Sequence, residues 1–267
     1  MNKENEKCKV KKIKHIISFS GGMGSFAEAV SCVNKYGKDN VITLFSDTLI
    51  EDYDLYRFMD ECVKFLGCEH IVIKDGRTPF QVFKDEKFMG NSRIDPCSKI
   101  LKRKLLARYI KNNWLPQEIN VHLGIDYSEA HRLVRVQERM GPYIYRSTLV
   151  EEGKMIPKDF SVQFGIKPPR LYGMGLGHNN CGGFCVKAGL GHFKNLLAGD
   201  REQYINFEQQ EQDVYDTVPN TKPFLKKRIN GKTHFLTLRQ YREGLENSEL
   251  NLTQDEEQEF GGCGCAI

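Results

Sequence analysis

The segment Ser20-Gly21-Gly22-Met23-Gly24-Ser25 constrains this chain more than any other stretch of it. An apolar run at residues 12–19 (KIKHIISF) precedes it, and after it Phe26, Ala29, Val30 and Val33 recur at helical spacing up to Gly37. Strand, glycine-rich turn and helix in that order bring backbone N–H groups and the positive end of a helix dipole to one point. Such a point binds an anion, phosphate above all, and the Ser20 and Ser25 hydroxyls can donate to the same group. No lysine follows the glycines as in a Walker loop, and the Rossmann GxGxxG spacing is missing.

The alternation continues downstream. Residues 41–45 (VITLF) read as a second strand, and Leu55, Phe58, Met59, Cys62 and Leu66 mark a helix stopped by Gly67. A strand at 70–73, a helix at 99–112, a strand at 119–123 and a helix at 129–140 follow. This order predicts an α/β fold: a Rossmann-like, mainly parallel sheet with helices on both faces. Beyond residue 150 the alternation weakens. Pro157, Pro168 and Pro169 interrupt it, a charged helix is expected at 201–215, and Asn230-Gly231 signals a hairpin. The expected organisation is therefore a nucleotide-binding α/β domain at 1–150 and a smaller cysteine-containing region at 151–267. The acidic run at 255–259, before the terminal GGCGCAI, reads as a solvated face or tail.

With 39 Lys and Arg against 35 Asp and Glu, the formal charge of +4 is too small to announce a nucleic-acid partner by itself. No apolar run approaches the roughly 18 residues that a bilayer span needs, and the polar start lacks the apolar core of a signal peptide. A cytoplasmic protein without membrane association is expected, and in that compartment nine cysteines point to metal ligands, redox groups or buried thiols rather than disulfides. Monomer and homodimer are both open.

Several segments together resemble the phosphoadenosine phosphosulfate (PAPS) reductase-like family of the PP-loop, or adenine nucleotide alpha hydrolase, superfamily. The 20–25 loop is similar to the SGGxxS loop of that family. Ser46-Asp47-Thr48, leading through Glu51-Asp52 into a helix with Tyr53 and Tyr56, resembles its DTG…PET segment. Cys97-Ser98-Lys99-Ile100-Leu101-Lys102 is similar to its Cys-Cys-x-x-Arg-Lys segment, and Gly124-Ile125-Asp126-Tyr127-Ser128-Glu129 to its GIRxxES stretch. The resemblance runs over residues 13–135 and implies an adenine nucleotide, either ATP or the phosphosulfates PAPS and APS. Asp47 and Thr48, at a strand's carboxyl end where open α/β sheets place ligands, would orient the adenosine or hold Mg²⁺; Gly124 and Glu129 would join the nucleotide site. Arg93, Lys99 and Lys102 supply positive charge for a sulfate or a leaving phosphate. The chain departs from the pattern in carrying Gly24 where ATP-splitting members have Asp, Ser98 for the second cysteine, Leu101 for Arg and Asp126 for Arg.

Cys181-Gly182-Gly183-Phe184-Cys185 and the tail residues Cys263 and Cys265 complete the candidates. Converging thiolates bind Zn²⁺ or an iron-sulfur cluster, and a thiolate of lowered pKa attacks electrophilic sulfur. The resemblance implies Cys97, Cys181 and Cys185 as cluster ligands, with Cys263 or Cys265 as a fourth ligand or as nucleophile. Cys8, Cys32, Cys62 and Cys68 read as thiols without ligand, and His178 and His192 as hydrogen-bonded. The basic and aromatic residues of 167–172 and 238–242 read as snorkelling surface groups, with nucleic-acid contact as the sharper alternative. Three functions follow: cysteine-dependent sulfur transfer, or reduction of a phosphosulfate nucleotide; ATP pyrophosphatase chemistry that adenylates or thiolates a base or other acceptor, with a nucleic acid open as that acceptor; and non-catalytic nucleotide sensing.

Overall fold

The computed structural model describes residues 12–139, 141–229 and 231–258. Five strands, β1 (Lys14–Ser18), β2 (Val41–Asp47), β3 (Glu69–Lys74), β4 (Ile119–Leu123) and β5 (Ile144–Arg146), form one sheet in the order β3-β2-β1-β4-β5. Every pairing is parallel, with Ile17 opposite Thr43 on one side and His122 on the other. The chain winds outward from β1 to β3, then returns to the far side of β1 with β4. The crevice between the carboxyl ends of β1 and β4 is the switch point at which such sheets bind ligands.

Helices cover both faces, as the alternation predicts. Ile17, Phe19 and Phe45 pack under α1 (Met23–Tyr36) and α2 (Tyr53–Leu66), whereas Ile16, Ile42 and Leu44, one step along the pleat, pack under α4 (Leu105–Asn113) and α5 (Ala130–Arg139). The helix α2 ends as its sequence requires, Gly67 taking a left-handed φ of 60° and donating to Val63 O. Between β3 and α4 lie α3 (Pro79–Asp85) and a π-helical turn at Ser98–Lys104 that runs directly into α4.

After the short α6 (Thr148–Glu151) and α7 (Arg170–Gly173), the chain builds α8 (Leu190–Gly199), α9 (Arg201–Thr217), the antiparallel pair β6 (Leu225–Ile229) and β7 (Lys232–Leu236), α10 (Leu238–Glu246) and α11 (Gln254–Glu257). Phe193, Tyr204, Phe207, Phe224 and Tyr241 form their core, which also takes in Phe80, Phe83 and Met89 from the first half of the sequence. Residues 160–166 pack instead on the α1/α2 side through Phe160, Phe164 and Ile166. The acidic run is more than a solvated face. Glu256 ion-pairs with Lys227 at 2.8 Å and Glu257 with Lys194 at 2.5 Å, seating α11 on the helical unit. The two basic-aromatic segments are likewise tied into the protein: Arg170 clamps Asp52 at 2.6 Å and Asp200 at 2.8 Å, and Arg242 binds Glu208 at 2.8 Å. No helix among the described residues is long and apolar enough to cross a membrane.

Candidate functional site

The 20–25 loop is braced from within. Gly21 has a φ of 73°, a value L-residues avoid. The Ser25 hydroxyl accepts the Ser20 N–H at 3.2 Å and donates to Gly22 O at 2.8 Å, with Ser20 Oγ 3.3 Å away. Gly22 caps α1 without a side-chain hydrogen bond, so the first turn of this 14-residue helix has no side-chain capping acceptor. Met23 N–H donates to Tyr172 Oη at 3.2 Å. Two glycines let the loop meet the end of β4: a methyl group on Gly24 would stand 2.6 Å from Gly124 O, and one on Gly124 would stand 2.4 Å from Ser25 N. An Asp at this position has no room here.

A cleft of about 490 Å³ opens at this point, in the β1/β4 crevice. The loop forms one wall, Gly124, Glu129 and Arg132 a second, Lys102 a third, and residues 177–180 a fourth. Arg132 binds Glu129 at 2.5 Å, and Asp126 turns aside to brace the backbone by accepting from Ser128 N at 2.9 Å and Ile156 N at 3.1 Å. A narrow apolar slot of about 30 Å³ shares Ser18, Leu44 and Leu106 with the cleft and continues inward between Ile16, Val121 and Leu123.

Lys102 enters from the π-helical turn, where the wider winding leaves carbonyls out of α-helical register; the Ser46 hydroxyl takes one of them, Leu101 O, at 2.5 Å. The Lys102 ammonium lies 3.6 Å from Glu51 Oε1, with side-chain exposures of 7% and 0%. Glu51 also accepts the Thr48 hydroxyl at 2.8 Å and the backbone N–H of Cys181. Thr48 Oγ1 is in turn 3.7 Å from Cys181 Sγ.

Cys97, Cys181 and Cys185 line one small cavity of about 20 Å³ with Thr48, Lys102 and Lys187. The Cys181 turn needs its glycines: Cys181, Gly182 and Gly183 have φ values of 54°, 60° and 91° in succession, and a methyl group on Gly182 would meet Ile50 O at 2.6 Å. The donor set of three thiols fits a thiophilic metal or an iron-sulfur cluster, and the present volume is that of one or two water-sized groups.

The fourth wall carries buried polar atoms without a hydrogen-bond partner, among them His178 Nδ1 and Asn179 Oδ1. Leaving such an atom unpaired costs about 1–3 kcal/mol. Asn179 Nδ2 is engaged, donating to Gly21 O at 3.3 Å. His178 stacks on His192 with ring centroids 4.9 Å apart, and His192 Nε2 donates to Gly183 O at 2.6 Å. Burial, followed by the neighbouring His192 and Lys102, holds the His178 pKa down to about 3, so this imidazole is neutral.

Of the residues singled out from sequence, Ser20, Gly22, Met23, Gly24, Ser25, Gly124, Glu129 and Lys102 line the one cleft. Gly21 shapes the loop behind it. Asp47 does not line the cleft; its carboxylate accepts the Leu49 N–H at 2.8 Å and the Tyr56 hydroxyl at 2.9 Å. Thr48 lies on the cysteine side. Arg93 and Lys99 are exposed and line neither cavity. Cys263, Cys265 and Cys8 lie outside the described residues. Sequence reasoning gave no role at the cleft to Glu51, Tyr172, His178 or Asn179, and it read His178 as hydrogen-bonded, whereas its Nδ1 has no hydrogen-bond partner. For Glu51 a signal existed in the Thr48-x-x-Glu51 spacing, a capping-box pattern.

A second polar cluster lies deeper. On α1, Glu28 Oε1 is 2.7 Å from His122 Nδ1 and 3.4 Å from Cys32 Sγ, while the same carboxylate accepts the Thr148 and Leu149 N–H groups at 2.9 and 3.2 Å. All three side chains are fully buried, and burial beside Glu28 pushes the Cys32 thiol well above its usual range. A thiol held protonated and carboxylate distances already satisfied by N–H donors describe a hydrogen-bonded brace for α6.

No family model matches the chain, and no curated protein matches it. Among solved structures it is similar to the U34-tRNA thiolase NcsA from Methanococcus maripaludis with its [4Fe-4S] cluster, at 16% sequence identity, over 91% of this chain and 75% of that one, with a TM-score of 0.46.

Proposed function

We propose that this chain is an adenine-nucleotide-binding enzyme that transfers sulfur to an acceptor. The observation that carries the reading is the position of Lys102, which lines both the phosphate-loop cleft and the cavity of Cys97, Cys181 and Cys185. Nucleotide and thiols thus meet across one buried cation. In this reading the loop N–H groups and α1 dipole hold the phosphates, and Lys102, Arg132 and Lys158 offset their charge within the cleft of about 490 Å³.

The chemistry this arrangement suits is adenylation followed by thiolation. An acceptor oxygen attacks the α-phosphorus of ATP, the bond to the β-phosphate oxygen breaks, and pyrophosphate leaves. A sulfide-level donor then adds at the activated carbon and AMP leaves with the oxygen. Gly24 offers no carboxylate to a metal, so Mg²⁺ would arrive on the nucleotide. Cys97, Cys181 and Cys185 would hold a thiophilic centre, which binds and presents sulfur when in place. Reduction of a phosphosulfate, the alternative, depends on a tail thiol of Cys263 or Cys265.

The test is anaerobic purification with iron, sulfide and zinc analysis, then incubation with ATP or PAPS and a sulfide donor. Metal lost on Cys97→Ser, Cys181→Ser or Cys185→Ser, with ATP binding kept and pyrophosphate released with acceptor, is the expected result. Adenosine 3′,5′-bisphosphate and sulfite from PAPS would establish the reductase instead, and absence of nucleotide binding would remove both.

A further inference from the structure

We infer that the π-helical turn at Ser98–Lys104 and the helix α4 form a docking face for a nucleic-acid strand, whose phosphates lie along Lys99, Lys104, Arg108 and Lys111 and which presents one of its bases to the cleft. This deepens the function proposed above, on which the identity of the strand as acceptor rests; the face itself is argued from the distribution of charge.

The formal excess of +4 is small over the whole chain, but it is not evenly spread. The helices α4 and α5, which cover one face of the sheet, carry together with the Ser98–Lys104 turn nine Lys and Arg and one acidic residue, Glu138. On the opposite face α1 and α2 carry three Lys and Arg against four acidic residues. Outside the basic segments the chain therefore holds more Asp and Glu than Lys and Arg. From Cys97 to Gln117 the sequence has six cations and no acidic residue. Two of those cations are engaged: Lys102 faces Glu51 in the cleft wall, and Arg103 binds Asp95 at 2.9 Å. Lys99, Lys104, Arg108 and Lys111 are exposed, and no described carboxylate forms an ion pair with any of them. Arg170 and Arg242, in the two basic-aromatic segments, are by contrast clamped by Asp52, Asp200 and Glu208.

The four exposed cations recur one helical turn apart, a spacing that puts neighbouring side chains about 5–6 Å from each other along one side of a helix. A row of cations at regular intervals complements a polymer with a negative charge on every unit. The phosphates of a single nucleotide held at the 20–25 loop reach only the cleft end of that row. No exposed large apolar side chain lies among residues 98–113, whereas helices that settle on a membrane surface carry such side chains beside the basic ones. Because β4 follows α4 and runs parallel to β1, α4 starts at the carboxyl ends of the strands, where the cleft opens. Lys102 and Leu106 of the same segment line that cleft, so a strand laid along Lys99 and Lys104 passes its edge. A carbonyl on one of its bases is the kind of acceptor oxygen that adenylation requires.

The test is fluorescence anisotropy of the full chain with a labelled single-stranded RNA of mixed sequence, between about 50 and 200 mM salt. Four phosphate contacts predict that log affinity falls against log salt with a slope of about −3. Lys104→Glu with Arg108→Glu is expected to weaken binding at least about tenfold and to cut that slope by about half. The charge-matched control, Lys38→Glu with Lys64→Glu beside the ends of α1 and α2, is expected to stay within about twofold of the unaltered protein, and Lys104→Arg with Arg108→Lys is expected to keep binding. No RNA binding at the lowest salt overturns the inference. So does a loss no greater in the first double variant than in the control, and so does binding to phosphatidylserine vesicles in preference to RNA, which would make this a membrane face. Titration with ATP, run alongside, separates the two readings: RNA held on this face by a protein that does not bind ATP keeps the docking face and removes the enzymatic reading, whereas ATP bound by a protein that ignores RNA removes this inference alone.

Discussion

The Lys102 ammonium stands 3.6 Å from Glu51 Oε1, in a pair that solvent hardly reaches. Because Glu51 also accepts the Thr48 hydroxyl and the Cys181 N–H, one carboxylate joins the end of β2, the π-helical turn and the cysteine turn.

Glu51→Gln is expected to destabilise the protein by about 3 kcal/mol, since it strands a buried charge. Adding Lys102→Met should recover part of that loss. Urea denaturation of the two single variants and the double variant measures both, and strictly additive effects would show that the pair is not coupled.

Gly24→Asp adds a carboxylate to the phosphate loop, and the contact with Gly124 O makes it unfavourable in this chain. A loss of about 1–3 kcal/mol in stability is expected from overpacking against backbone, together with weaker nucleotide binding. Thermal melting and ATP titration check this; a variant that binds ATP more tightly would mean that the loop and β4 can separate.

His15, 2.9 Å from His122 and stacked on Tyr36, is held down to about 4 by burial and by the positive groups around it, against 6.5 when unperturbed. The folded chain therefore binds its proton less tightly than the unfolded chain. The stability His15 contributes is present above pH 6.5 and is lost as pH falls toward 4, on the order of 2 kcal/mol between pH 7 and 5. Glu211, pushed up to about 7 by burial, acts in the opposite sense. The quantity to measure is thus the difference between the unaltered protein and His15→Asn, which should shrink as pH is lowered from 7 to 5.

The strands and helices of the first half were legible because their periodicities are long and bounded by glycines: Gly37 and Gly67 close α1 and α2 where the pattern ends. The strand β5 was not, having three residues, too few to show alternation. The helix α3 carried its own start signal, Thr78 capping a first turn that opens with Pro79 and includes Gln81, but its seven residues lie outside any strong periodicity. The phosphate loop could be read because its chemistry is in consecutive residues. Asn179 and Glu51 could not be read as partners of the loop and of Cys181, because those relationships are made by the fold, across 158 and 130 positions of sequence. Similarly, Arg93, Lys99 and Lys102 look equivalent as charges, but Arg93 lies in solvent on the loop before the π-helical turn, and within that turn the winding separates buried Lys102 from exposed Lys99.

That winding has a consequence for length. A π-helical turn corresponds to an α-helix with one residue inserted, and each residue turns an α-helix by about 100°. A sequence one residue shorter within Ser98–Lys104 would close into regular α-helix, keeping α4 and its apolar stripe in place while carrying the lysine off the wall between the two cavities. Single-residue deletions in this segment are therefore tolerable to the sheet and intolerable to the site, and natural variation in its length would separate proteins that keep the same architecture from those that keep the same chemistry.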